Sequence, residues 1–404
     1  MKRIFFFLSL VFISLFLITN VSAECGGTKQ CQCGDVLDRS QTMWYNLECP
    51  EDGLIIGADD IILDCNGFAI KGDGLGPDTG IFVQSFQNLK IKNCRVENFN
   101  FGVYANGDNN IFENISANYN NEGVYVWRSN NNTFQSITTN YNARQGVEIS
   151  DSDNNFLRSI IADSNGYSGI YILNSENNLF KSITSKNNAR YGLYINTGKN
   201  LFQNIISNSN FFGFYINGKN NLFRNITANS NNEGLYLLRS DNNTFESATA
   251  NSNRYGGVYL SASDKNIFQN ITSNFNTYNG LYFSRSDNNV LSSSTFISND
   301  VGIYATSSNS NNIFNNYFNN TINAKDKGIN NWNTTKTPGT NIVGGPYIGG
   351  NFWSDYTGED LDGDGLGDTH LPYNSNGNIK NGGDFLPLVV PIESHAAPFN
   401  VSRG

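Results

Sequence analysis

Residues 234–248 read Gly-Leu-Tyr-Leu-Leu-Arg-Ser-Asp-Asn-Asn-Thr-Phe-Glu-Ser-Ala, and residues 123–137 read Gly-Val-Tyr-Val-Trp-Arg-Ser-Asn-Asn-Asn-Thr-Phe-Gln-Ser-Ile. The phrase opens on Gly80, Gly102, Gly123, Gly146, Gly169, Gly192, Gly213, Gly234, Gly257, Gly280 and Gly302, in steps of 21 to 23 residues. A fixed period of this size marks a solenoid, in which each copy buries its apolar face only by stacking on its neighbours. The first and third positions after the glycine are aliphatic, as in Val147/Ile149, Ile170/Ile172 and Leu235/Leu237. Alternation at period two is that of a short strand with this face inward. An Asn-Asn pair follows, then Phe (Leu157 and Leu291 in two copies), then usually Ile. The Asn or Ser between Phe and Ile, as in Asn114, Ser136, Asn225 and Asn270, suits a bend with φ > 0.

Three short strands and three turns in each copy of about 22 residues predict an all-β solenoid, a parallel β-helix. Copies stacked about 4.8 Å apart superpose like residues in columns, and ten such steps give a rod about 50 Å long. The second Asn of each pair is expected to form an amide ladder along one turn. Its members are Asn110, Asn132, Asn155, Asn178, Asn200, Asn221, Asn243, Asn266, Asn289 and Asn312. A further Asn (Asn118, Asn140, Asn208, Asn229, Asn251, Asn274) closes the third strand. Helical repeats are excluded, because Gly and Asn recur every few residues and no apolar 3.6 period persists.

Around the repeat the chain divides into end pieces. Residues 1–23 read as a signal peptide: Lys2-Arg3, an apolar core from Ile4 to Ile18, and Val21-Ser22-Ala23 before the cut. No second apolar run long enough to span a membrane follows, so no transmembrane anchor is expected after cleavage. Residues 24–52 form a Cys-rich cap, 53–322 the β-helix, 323–390 a C-terminal cap, and 391–404 a disordered tail. All six cysteines precede residue 95, and an even count after a signal reads as disulfides. Cys65 and Cys94 close similar strands, Ile-Leu-Asp-Cys and Ile-Lys-Asn-Cys, in successive coils and are the preferred pair. The connectivity of Cys25, Cys31, Cys33 and Cys49 stays open. The net charge of −9 excludes the basic stripe that a nucleic-acid partner needs.

Residues that could carry chemistry are few. Asp360-Leu-Asp362-Gly-Asp364-Gly-Leu366-Gly-Asp368 reproduces the first nine positions of a calcium loop, with Asp360, Asp362, Asp364, the Leu366 carbonyl and Asp368 as ligands. Position 12 is Leu371 rather than a bidentate Glu, which leaves Glu359, Asp355 or Asp384 to complete the shell. Tyr stands two residues after most of the glycines, in a column from Tyr104 to Tyr304. Its aliphatic neighbours face inward, so the rings face outward. Such a strip either stacks on sugar rings or merely braces the sheet across coils. Glu148 interrupts it; with Trp127 and Arg128 nearby, this is the least repeat-like patch, and Tyr125, Trp127, Arg128, Tyr171 and Tyr194 are the glycan-binding candidates. Glu148, Asp151, Asp153 and Arg158 are the weak catalytic candidates, as a carboxylate pair with a basic residue. Acids recur at the position of Asp153 (Glu176, Asp241, Asp264, Asp287), which argues for a solvated column instead. Several Asn-x-Ser/Thr sequons, among them Asn114, Asn131, Asn225, Asn242 and Asn270, permit N-glycosylation.

The repeat phrase resembles that of pectate-lyase-like and carbohydrate-binding β-helix proteins. With Gly-Gly-Asn-Phe-Trp-Ser-Asp-Tyr from Gly349, the acidic loop, and Asp-Phe-Leu-Pro-Leu from Asp384, it resembles the NosD family over residues 54–390. That resemblance implies a right-handed parallel β-helix outside the cytoplasmic membrane and, for NosD, copper delivery to nitrous oxide reductase. Copper is not expected here, because copper sites draw on His, Met and Cys and the chain has two His and, past the signal, only Met43. The reading is of a secreted or cell-surface protein that binds a polysaccharide or envelope glycan, or is structural, without catalysis. A polysaccharide lyase or glycoside hydrolase, or a copper accessory protein, is the alternative.

Overall fold

The structure, a computed structural model, describes residues 25–391; the signal peptide and the tail from residue 392 lie outside the described residues. Fourteen strands stack in strict chain order into one parallel sheet, from Val36–Leu37 at one end to Ile322–Asp326 at the other. No helix occurs among the described residues. Register follows the repeat: Ile170, Tyr171 and Ile172 lie opposite Leu193, Tyr194 and Ile195. The parity of the strand therefore holds from coil to coil, with aliphatic residues inside and tyrosines outside.

The rest of each coil differs from the three separate strands expected. In strands such as Thr133–Thr138 and Leu179–Thr184, the second and third segments run together. A single residue in the left-handed region turns the corner, Ser136 at φ 55° and Ser182 at φ 55°. Both halves keep their ladders across this one-residue corner, so the strand stays continuous. The halves separate only towards the two ends of the stack, as Ile62–Asp64 with Ala69–Gly72 in an early coil and Val290–Ser292 with Thr295–Ile297 and Asn312–Phe314 with Tyr317–Asn319 in the last ones.

Inside, Phe112 stacks on Phe134 at 4.7 Å, and Phe180, Phe202, Phe223, Phe245 and Phe268 form a second file at 4.5 to 4.8 Å. The files break at Leu157, where the column carries no ring. The Asn ladder runs beside them: the side-chain oxygen of Asn132 accepts the Asn110 N–H, that of Asn155 the Asn132 N–H, and so on to Asn289. Its next member is Asn311, which accepts from Asn289, whereas Asn312 is exposed at the start of a strand. The expected rung at Asn312 is thereby corrected. Ser308 occupies the place of Ser240, so the frame puts Ser310-Asn311 where other copies carry Asn-Asn. A second buried ladder, Asn120, Asn142, Asn165, Asn188, Asn210, Asn231, Asn253, Asn276 and Asn299, lines the opposite turn. This ladder was not foreseen from the sequence. Asn118 and Asn140 lie two residues before its rungs and accept from the following coil instead. Both ladders satisfy turn backbone groups that water cannot reach.

The second ladder also explains the repeat glycine. A Cβ on Gly123 would lie 2.5 Å from the Gly146 carbonyl and 2.9 Å from the Asn142 amide nitrogen. Any side chain there displaces the rung.

Both ends of the stack are covered. Disulfides join Cys25 to Cys31, Cys33 to Cys49 and Cys65 to Cys94. At the other end Trp353 stacks on Phe318 at 4.6 Å and on Tyr373 at 4.4 Å. Beneath them the Asp384 carboxylate accepts hydrogen bonds from the Trp353 indole and the Asn351 backbone. Burial pushes Asp384 up to about 7, with those two donors opposing it.

Candidate functional site

The outer face of the first sheet carries the tyrosine column. Tyr171 stacks on Tyr194 at 4.4 Å, Tyr194 on Tyr215 at 5.4 Å, and Tyr215 on Tyr236 at 5.2 Å. The file continues through Tyr259 and Tyr282, 4.9 Å apart, to Tyr304. These rings are half-buried. Burial pushes the Tyr236 phenol up to about 12, so the strip presents neutral hydroxyls on stacked ring edges.

A second row lies beside the tyrosines, formed by the residue just before each repeat glycine. It holds Phe101, Glu122, Gln145, Ser168, Tyr191, Phe212, Glu233, Gly256 and Asn279, in register from coil to coil. Tyr191 sits 5.1 Å from Tyr194 and Phe212 5.4 Å from Tyr215, so both rows share one face. Columns in this fold are mostly uniform; this one varies from coil to coil. That variability is its only mark in the sequence, since no recurring residue identifies the column.

Where the two rows depart from aromatic residues, an acidic cluster forms. Glu148 stands in the tyrosine register, between Tyr125 and Tyr171. Glu122, one coil earlier in the second row, is buried and paired with Arg144 at 2.9 Å. Burial, and then the Glu122 charge, push Glu148 up to about 7, with Arg144 opposing. Gln145 and Ser168, buried in the second row beside it, have side-chain oxygens with no partner. Such groups cost free energy when dry, and a ligand hydroxyl can satisfy them.

The other expected residues are dispersed. Trp127 and Arg128 follow Tyr125 at the strand end, with the Arg128 guanidinium 4.6 Å from the Trp127 ring. Asp151 lies on the corner after Glu148, at φ 48°, accepting from Asn174. Asp153 accepts the Glu176 N–H at 2.6 Å, as Asp241 does for Asp264 and Asp264 for Asp287. Its carboxylate is a rung of the turn. Arg158 lies on the other wall of the coil, bonded to Gln135. The structure thus gathers Glu122, Arg144 and Glu148 in place of the expected set: Arg158 stands on the opposite wall of the coil, and Asp151 and Asp153 are engaged with the next coil.

In the acidic loop, carboxylate oxygens of Asp360, Asp362 and Asp368 lie within 4.8 Å of one another. Asp360 accepts N–H bonds from Gly363, Asp364 and Gly365, which curls the loop around it. The Asp364 carboxylate instead meets Lys336, and Asp384 and Asp355 are engaged in the cap, the latter with Tyr373. Three converging hard oxygens fit calcium. Among the described residues all six cysteines are in disulfides and Met43 is buried.

The profile of the family described as "Periplasmic copper-binding protein (NosD)" matches residues 201–358, and that of "Right handed beta helix region" matches residues 79–225. The chain is a NosD-like right-handed β-helix protein. No curated protein matches it in sequence. Among solved structures it is similar to the mannuronan C-5 epimerase AlgE6 A-module of Azotobacter vinelandii, at 16% identity over 72% of this chain and 87% of that one, with a TM-score of 0.52. A mutant of the periplasmic alginate epimerase AlgG matches at 10% identity over 69% of this chain and 76% of that one, with a TM-score of 0.50. At such identities this NosD-like protein shares their fold. Its three disulfides belong to an extracytoplasmic setting, and no helix among the described residues is long and apolar enough to cross a membrane.

Proposed function

We propose that this protein is secreted or displayed at the cell surface and binds a polysaccharide of the cell envelope along the tyrosine face. The observation that carries this reading is the continuous file of half-buried rings from Tyr171 to Tyr304, stacked at every step except the tilted pair Tyr236–Tyr259. Its spacing of 4.4 to 5.4 Å over seven coils turns a continuous strip of ring edges and hydroxyls outward, against which a sugar chain can pack and hydrogen-bond. The neighbours in fold are named for alginate and mannuronan, which puts polyuronates in the test panel. Electrostatics works against them at the level of the whole chain, which carries −9. A neutral or cationic glycan suits it better.

Affinity electrophoresis of the full chain through gels cast with neutral, cationic and polyuronate glycans tests the reading. Retardation by one class is expected, weakened about tenfold in Tyr194→Ala/Tyr215→Ala, since each stacked ring contributes about 0.5–1.5 kcal/mol. Equal mobility in every gel, or retardation indifferent to that variant, rejects the tyrosine face as the binding surface.

A second, enzymatic reading rests on Glu148. A carboxyl that keeps its proton to about pH 7, beside a second acid, is equipped for general acid–base work on a bound glycan. Release of reducing ends or unsaturated products from the same panel, lost in Glu148→Gln, is the outcome that favours it. Calcium is proposed for the acidic loop, held by Asp360, Asp362 and Asp368, as a brace for the C-terminal cap. Copper delivery is not proposed.

A further inference from the structure

Further along the tyrosine face the second row is interrupted by a glycine. Gly256 stands in the column where Tyr191 and Phe212 place rings in earlier coils. The missing side chain leaves a pit of about 350 Å³, lined by Glu233, Tyr255, Tyr259, Tyr278 and Tyr282. That is the lower end of the range for small-ligand sites, about 300–1,000 Å³. Tyr255 and Tyr278 stack at 6.1 Å on one side, and Tyr259 and Tyr282 at 4.9 Å on the other. Tyr255 and Tyr278 are exposed, so the pit opens to solvent between two pairs of rings.

At its floor the Glu233 carboxylate lies against Gly256. A Cβ on Gly256 would come within 3.2 Å of Glu233 Oε2. That oxygen is buried and has no hydrogen-bond partner. Burial pushes the carboxyl up to about 7, and only the Gly256 N–H opposes it. Glu122, the acid of the same row, has Arg144; Glu233 forms no ion pair among the described residues. Arg254 lies over the Tyr255 ring at 5.6 Å and does not line the pit. A carboxylate without a counter-ion, walled by four tyrosines, is short of one positive charge. Aromatic walls attract cations through their ring quadrupoles, and a desolvated carboxylate supplies the charge partner. A neutral sugar offers the floor only a hydroxyl, and an anionic one is repelled.

We infer that this pit is the subsite for a protonated amine carried on a sugar ring, so that the glycan on the tyrosine face is an amino sugar with free amines. This rests on the glycan-binding reading and narrows it. The remaining tyrosine file stacks the rings before and after the one whose amine enters the pit.

Two arms test it with the full chain. In the first, chitosan oligosaccharides (free amines) and their fully N-acetylated counterparts are titrated at pH 7.5. The free-amine series binds at least tenfold tighter to the wild type, and Glu233→Gln brings the ratio close to one. Gly256→Phe refills the pit with a ring that the same column carries at Phe212, and abolishes the preference while the fold is kept. In the second arm, tetramethylammonium alone is followed by tyrosine fluorescence. Saturable quenching that disappears in Glu233→Gln and in Gly256→Phe supports a cation subsite even if no glycan binds, in which case the glycan reading alone fails. Equal affinity for the amine and acetylated series, or a preference unchanged by both variants, overturns the amine subsite. So does the absence of saturable quenching.

Discussion

Glu148 is a single departure from a column of tyrosines, and its chemistry follows from the ring it replaces. The position is half-buried because flanking rings cover it, and a carboxyl placed there loses hydration that a phenol never needed. Its folded value is raised from 4.5 to about 7, so the protonated form is favoured on folding. The stability this contributes is complete below about pH 4.5 and is lost as pH rises through 7. Glu148→Gln is therefore expected to match the wild type in melting temperature at pH 4 and exceed it at pH 8. The gain is on the order of 1–2 kcal/mol once partial exposure is discounted. A wild type as stable as the variant at pH 8, measured by thermal unfolding, would show that the carboxylate is solvated. From the sequence, Glu148 was visible because it broke a pattern. Glu122 and Glu233 were not, since their column has no pattern to break.

At the scale of the element, the acidic loop and the coil corners show two uses of a carboxylate or amide oxygen. Corner residues such as Asp153 and Asp241 give theirs to the backbone of the next coil, so their recurrence signals construction. In the loop, Asp360, Asp362 and Asp368 all accept backbone N–H bonds of the loop itself, and their oxygens converge on one point besides. Calcium titrated into the full chain is expected to release heat and raise the unfolding temperature, by about 2.7 kcal/mol of stabilisation at a hundredfold excess over Kd. Asp360→Asn abolishes the effect. Asp364→Asn weakens it less, because Asp364 is already paired with Lys336. No heat and no shift on adding chelator would leave the loop an unmetallated turn. The calcium-loop spacing was legible in the chain; the diversion of Asp364 was not, because Lys336 comes from a distant segment.

For the whole molecule, the stack passes stability between neighbouring coils, so its ends decide where it frays. Trp332, Trp353 and Tyr373 form an aromatic lid at the C-terminal end, and the N-terminal end is fastened by three disulfides. Replacing Cys65 and Cys94, 29 residues apart, with alanine is expected to cost roughly 3–4 kcal/mol. The loss should be local: amide exchange quickens in coils before about residue 120, while the Phe223–Phe268 file stays protected. Uniform acceleration along the rod would mean that the coils unfold as one unit. The sequence by itself determined the rod: its period, the parity of its strands, and the Asn, Phe and Tyr columns. Identical residues at a fixed spacing must superpose once coils stack, so recurrence alone places them. Only the tertiary structure decided what the exceptions do. Glu122 meets Glu148, and Glu233 meets the gap at Gly256, because stacking brings residues one coil apart into contact. Their burial there depends on rings from several coils, which no single copy of the repeat contains.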